Sequence, residues 1–178
     1  MKRLFAIIES PVTRGFLLGL VVLSLQTTLF NTLRPFGVVL QVMLLLSCVS
    51  GVVAGSETGA IAGFAFGMMY DMVLTAPLGL SALVFGFAGY AAGGVNTFVH
   101  EARWWARILS VSVVSAAAVF LYPAASLVVG VEGLLGPRVI TVALTCSVFN
   151  AIFTLPAAKL AKWALVKPVR SEEHTSEL

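Results

Sequence analysis

The sequence predicts an all-α, polytopic membrane protein: one domain, residues 1–169, of six transmembrane helices with both ends cytoplasmic. Three observations carry this. Of the 178 residues, 59% are hydrophobic and only 11% charged, and the mean hydropathy is +1.01, whereas a soluble domain is about a quarter charged. The chain divides into six apolar segments near the length of about 20 residues that a bilayer-crossing helix needs, which leaves no room for a separate soluble domain. The basic residues then fall on one side. With the N-terminus inside, the cytoplasmic segments hold Lys2, Arg3, Arg14, Arg103, Arg107, Lys159, Lys162 and Lys167, and the outer segments hold only Arg34 and Arg138. That is the asymmetry of the positive-inside rule. Removing one helix would put the Arg103/Arg107 loop and the C-terminal lysines on opposite sides.

The first segment, about residues 15–32, is opened by Ser10-Pro11, an N-cap followed by the residue favoured at the first helical position. Lys2 and Arg3 resemble the basic start of a secretory signal, but no small-x-small cleavage site follows before Leu33-Arg34-Pro35, so the segment is expected to be retained. The second spans about 36–54 and ends at Gly55-Ser56-Glu57-Thr58. The third runs over 59–74 and the fourth over 78–99, joined by the turn from Thr75 to Gly79. The fifth, 106–129, and the sixth, 139–161, are separated by the turn residues from Gly133 to Pro137. Pro123 and Pro156 are expected to kink these last two helices. Gln26 and Gln41 are intramembrane amides expected to hydrogen-bond between helices. Trp104 and Trp105 lie between Arg103 and Arg107, and Trp163 lies beside Lys162. They read as anchors at the cytoplasmic interface, with a docking surface for a cytoplasmic partner as the alternative.

The third segment holds the most information. Gly59, Gly63, Gly67 and Asp71 recur every four residues, which aligns them on one slowly drifting helix face. Three glycines there form a groove into which another backbone can press, as in small-xxx-small packing of membrane helices. Gly86, Gly89, Gly93 and Gly94 make the fourth helix small-faced as well, so the two are expected to pack on each other; docking of a helix from another protein is the alternative. Asp71 is the only acidic residue inside a predicted span, where an ionisable group faces protein or water rather than lipid. Its carboxylate is expected to accept hydrogen bonds from the free amides that open the fourth helix beyond Pro77. Gly59, Gly63, Gly67, Asp71, Pro77 and Gly79 are therefore the candidate packing and partner-interface residues.

Little here supports catalysis. His100 sits with Glu101 in a short cytoplasmic loop, and no Ser/His/Asp or Cys/His constellation, metal-ligand spacing or phosphate-cradling loop occurs. Cys48 and Cys146 fall in separate apolar runs and read as small packed hydrophobes. No cofactor or metal is expected, and the dispersed basic residues give no footprint for nucleic acid. The last nine residues, 170–178, resemble the translation of a widely used sequencing adapter and are set aside. Without them ten basic and five acidic residues remain, a net charge of +5.

Gly59-Ala-Ile-Ala-Gly-Phe-Ala-Phe-Gly-Met-Met-Tyr-Asp71, followed by Thr75-Ala-Pro-Leu-Gly-Leu-Ser-Ala-Leu83 and Gly89-Tyr-Ala-Ala-Gly93, resembles the rod shape-determining protein MreD family, most closely its actinobacterial members. The similarity covers about residues 36–98, and the first and last two helices match only in hydropathy. The family usually carries proline, often with aspartate, at the entry to the second helix; this chain has Leu40-Gln41, so no role is carried over there. The resemblance implies a non-enzymatic, multi-pass inner-membrane subunit of the rod complex, or elongasome. It implies binding to the single-span protein MreC, an indirect link to MreB filaments, and a place near the peptidoglycan synthase pair in lateral wall growth. It also implies a six-helix fold similar to the substrate-binding component of energy-coupling-factor transporters. A small-molecule, vitamin-type substrate-binding subunit is accordingly the rival reading, although Tyr70, Asp71 and Tyr122 are a thin set of outward polar groups for a ligand.

Overall fold

Ser10 opens the first helix as its place before Pro11 demands: its hydroxyl accepts a hydrogen bond from the Thr13 amide at 3.2 Å, satisfying one of the donors that a helix start leaves free. In the computed structural model, which describes residues 10–74, 77–98, 104–131 and 136–166, that helix is α1 (Pro11–Thr32). A 3-10 turn (Pro35–Gly37), α2 (Val42–Ala54), α3 (Ser56–Asp71), α4 (Leu80–Phe98), α5 (Trp104–Val128) and α6 (Arg138–Leu165) follow. Thr75 and Ala76 of the predicted turn, His100, Glu101, Arg103, Gly133, the flanking Lys2, Arg3 and Lys167, and the 170–178 tail lie outside the described residues. The described chain is all-helical. Three helices, α1 over Pro11–Phe30, α5 and α6, are long and apolar enough to cross a membrane, while α2 and α4 are shorter apolar helices.

The second element departs most from expectation, since the helix begins at Val42 rather than near residue 36. Pro35 and the left-handed Gly37 (φ +76°) set a tight turn, and residues 38–41 are not helical. Val38 and Leu40 in that stretch are buried all the same. Backbone outside a helix advances up to about 3.3 Å per residue against about 1.5 Å in a helix, so four such residues extend a 13-residue helix substantially in depth. The price is a helix start inside the bundle, and α1 supplies its partner: Gln26 Oε1 accepts from the Met43 amide at 2.7 Å. Between α2 and α3 the chain reverses at Gly55, whose φ of +92° is a region glycine enters at no steric cost. That lets α3 start at Ser56, three residues earlier than predicted.

The α2 helix sits at the centre and contacts all five others, and every residue from Met43 to Val52 is buried. The most extensive pair is α3 with α4, followed by α5 with α6. Several buried hydroxyls are satisfied within their own helices: Ser47 donates to the Met43 carbonyl at 2.8 Å, Ser50 to that of Leu46 at 2.7 Å, and Ser110 to that of Ala106 at 2.8 Å. Helices α5 and α6 remain helical through Pro123 and Pro156. Outward, the bundle presents Leu17, Val21, Leu83, Phe87, Val113, Leu144, Val148 and Ile152, each at least half exposed. A perimeter this apolar fits a hydrocarbon surround, and the self-satisfied backbone of helices is what such a surround requires. The start of α1 and the end of α6 adjoin: the Arg14 guanidinium lies 5.6 Å from the Trp163 ring centroid.

Candidate helix-packing and interaction site

The glycine face of α3 is filled by α4. A methyl group added to Gly63 would meet the Phe85 carbonyl carbon at 2.9 Å and the Gly86 Cα at 3.1 Å. One added to Gly67 would fall 2.5 Å from the Ala82 Cα and 2.6 Å from its nitrogen, and one on Gly59 would lie 2.6 Å from the Gly89 carbonyl oxygen. The obstacles are main chain, which no rotamer change can move. Hydrogen in place of a side chain is therefore what lets these two backbones touch. Phe66 and Ala62 on the same helix are buried beside them, and Tyr70 stacks on Phe85 with centroids 5.8 Å apart.

Gly51 was not singled out by sequence reasoning, yet it completes the junction. A Cβ there would clash with the Gly89 carbonyl and come within 3.0 Å of the Gly93 amide nitrogen, and Gly93 in turn closes on Ser56, 2.6 Å from its Cα. Helices α2, α3 and α4 thus meet backbone to backbone around Gly51, Gly59 and Gly89. The signal was present as glycine at 51, 55 and 59, but the reversal at Gly55 makes it look like one loop boundary rather than two facing helices. Gly86 and Gly94 leave more room: the Gly86 Cα faces Gly63, but the nearest atoms to a Cβ added at Gly86 or Gly94 are 3.3 Å and 3.8 Å away. Gly79, with φ +95° and nothing within 4 Å of an added Cβ, is a turn glycine rather than a packing one, and Pro77 beside it is half-buried.

Asp71 ends the same face and is 1% exposed. Its Oδ2 accepts from the Gly79 amide at 2.9 Å, from Ser81 at 3.0 Å and from Ala82 at 3.3 Å, and its Oδ1 accepts from Ser81 at 3.2 Å. A carboxylate from one helix thus takes the orphan amides at the start of the next, where the helix dipole also favours negative charge. Around this cap a polar layer collects at one end of the bundle. Ser81 and Gln26 belong to it, with Ser81 Oγ and Gln26 Nε2 buried and, among the described residues, without hydrogen-bond partners, while Gln26 Oε1 holds the start of α2. A cavity of about 180 Å³, lined by Gln41, Tyr122 and Arg138 among apolar neighbours, opens beside it.

The predicted interfacial aromatics lie elsewhere. Trp104 and Trp105 open α5 and are 67% and 47% exposed, and Arg107 is exposed one residue beyond the buried Ala106. Cys48 and Cys146 are both fully buried and unpaired. Among the described residues no three His, Cys, Asp or Glu side chains gather as a metal site would need.

A family model described as rod shape-determining protein MreD matches residues 11–170. No curated protein and no solved structure matches the chain.

Proposed function

We propose a scaffold role for this chain, which belongs to the MreD family of rod shape-determining proteins. As a member it is a membrane component of the rod-shape system, a structural component rather than a known enzyme. In our reading it crosses the bacterial inner membrane six times as a single domain, with both ends in the cytoplasm. It binds an MreC-like single-span protein there, and through that protein it is linked to MreB filaments and to the synthase pair of lateral peptidoglycan growth. Gly59, Gly63, Gly67, Asp71, Pro77 and Gly79 set the geometry of the body that is offered to the partner. Arg103, Trp104, Trp105 and Arg107 anchor it at the cytoplasmic interface.

The observation that carries the reading is the spending of every tight glycine on internal contact, together with an Asp71 carboxylate consumed by backbone amides. Such a body is stiff. The contact of Arg14 with Trp163 supports an even number of crossings. The rival reading, a vitamin-type substrate-binding subunit, draws on the cavity at Gln41, Tyr122 and Arg138. Its volume of about 180 Å³ is below the roughly 300–1,000 Å³ of sites for drug-sized ligands, which favours the scaffold. Co-purification in mild detergent with the MreC-like protein of the same organism tests the choice. We expect retention of that protein and rounding of cells depleted of this chain. A chain that elutes alone with a bound small molecule, from cells that stay rod-shaped when depleted, would reverse it.

A further inference from the structure

The polar layer beside the Asp71 cap holds more hydrogen-bond donors than acceptors. Asp71 is the buried carboxylate there, and both its oxygens already accept from the amides of Gly79, Ser81 and Ala82. Gln26 gives its oxygen to the Met43 amide at 2.7 Å. Its Nε2, on a side chain only 2% exposed, has no partner among the described residues, and neither has the buried Ser81 Oγ. Gln41 immediately precedes α2, the helix start that Gln26 holds. Together with Tyr122 and Arg138 it lines the cavity of about 180 Å³, which brings an amide, a phenol hydroxyl and a guanidinium to one space. Among the described residues Arg138 pairs with no carboxylate.

Charge and shape then define what fits. A guanidinium is always ionised and presents several donors in a planar fork that matches phosphate oxygens. Helices α2 and α6 both begin at this cavity, and neither Gln41 nor Pro137 caps its helix with a side chain, so the partial positive charge of both starts adds to the attraction for an anion. The rest of the lining, with Val119, Val139 and Val142, is apolar. An anionic head with an apolar continuation satisfies both parts, whereas a free inorganic anion satisfies only the first. Arg138 is also the first residue of a helix long and apolar enough to cross a membrane, and lipid phosphates lie at the ends of such helices.

We propose that the cavity at Gln41, Tyr122 and Arg138 binds a phosphate group, gripped by the Arg138 fork and hydrogen-bonded by Tyr122 and Gln41, with an anionic phospholipid as its source. This site goes beyond the scaffold reading and does not depend on partner binding.

The test uses the full chain in excess non-ionic detergent, with thermal unfolding followed as ligand is added. Dioctanoyl phosphatidylglycerol should raise the midpoint saturably, and dioctanoylglycerol, the same chains without phosphate, should not. Arg138 is exposed, so Arg138→Gln should fold and lose the response; Arg138→Lys, which keeps the charge but not the planar fork, should retain part of it. Lys159→Gln removes the same charge from an exposed position in the last turns of α6 and should respond as the unaltered chain does. Tyr122→Phe should weaken the apparent affinity about tenfold, the scale of one hydrogen bond to a charged group. Inorganic phosphate that saturates the same response, lost in Arg138→Gln, would uphold the phosphate site and replace lipid by a free anion as its source. Equal losses in Arg138→Gln and Lys159→Gln would overturn the site in favour of unspecific attraction to charge, and an equal shift from dioctanoylglycerol in favour of apolar filling. An unaltered chain that responds to neither phosphate source overturns it as well; midpoints that then fall equally in Arg138→Gln and Glu132→Gln would show an ion pair within the chain instead.

Discussion

Adding one methyl group at Gly63 should damage this protein more than adding one at Gly94, although both substitutions are Gly→Ala in a membrane helix. In an unhindered helix alanine is favoured over glycine by about 1 kcal/mol. At Gly94 the new Cβ would find its nearest neighbour, Ser56 Oγ, at 3.8 Å, an ordinary contact, so that preference stands and the change should be neutral or slightly stabilising. At Gly63 the Cβ would be 2.9 Å from one backbone carbon and 3.1 Å from another, with a carbonyl oxygen closer still. Restoring normal contact requires α3 and α4 to part by roughly 1 Å, which loosens the seam on both sides of residue 63. Overpacking of this kind costs typically 1–3 kcal/mol, and rigid neighbours put it at the upper end. After the propensity gain, a net loss of about 2 kcal/mol remains. Thermal unfolding in detergent, followed by size-exclusion of the surviving fold, measures the pair under one condition. Equal midpoints for Gly63→Ala and Gly94→Ala would show that α3 and α4 do not touch backbone to backbone.

Asp71→Leu strips three amides of their acceptor, each a loss of about 1–3 kcal/mol when buried, and should abolish recovery of folded protein; Asp71→Asn, which keeps one acceptor oxygen, should be recovered in reduced yield. Normal abundance of the leucine variant would count against the cap. Gln26→Leu leaves the Met43 amide without its side-chain partner, and a lower unfolding midpoint, equivalent to about 1 kcal/mol, is expected in the same assay. Single cysteines at residue 100 and at Ser10 should label from the same side of the membrane in intact cells, against little background, since Cys48 and Cys146 are each 0% exposed. Labelling from opposite sides would end the six-span scheme.

Much of the bundle was legible because its signals are local. Ser10-Pro11 marked a helix start that the structure places within a residue, and Asp71 could be matched to the amides beyond Pro77 because both lie on either side of one short turn. The start of α2 was not legible. An apolar run reads as helix whether or not its first residues are helical, and what satisfies its late start is Gln26, an acceptor 17 residues earlier in the chain. Gly51 was missed for a related reason: its partners, Gly59 and Gly89, come from two other helices, and four-residue spacing cannot indicate which glycines face each other across space. Spacing likewise gave Gly86 the same standing as Gly89, although a Cβ added at Gly89 would lie 2.7 Å from the Gly59 carbonyl carbon and one added at Gly86 comes no closer than 3.3 Å to any neighbour.

This division of the glycines bears on how the chain recognises anything. In lipid, apolar surface gains nothing from meeting apolar surface, so association depends on close packing and on the few polar groups that reach it. The closest packing available here is already spent inside, where Gly51, Gly59, Gly63, Gly67, Gly89 and Gly93 lock three helices together. A partner therefore meets a fixed shape rather than a face that must first open, and it avoids the ordering cost that a yielding surface would impose. What remains for recognition is relief on the outside of that shape.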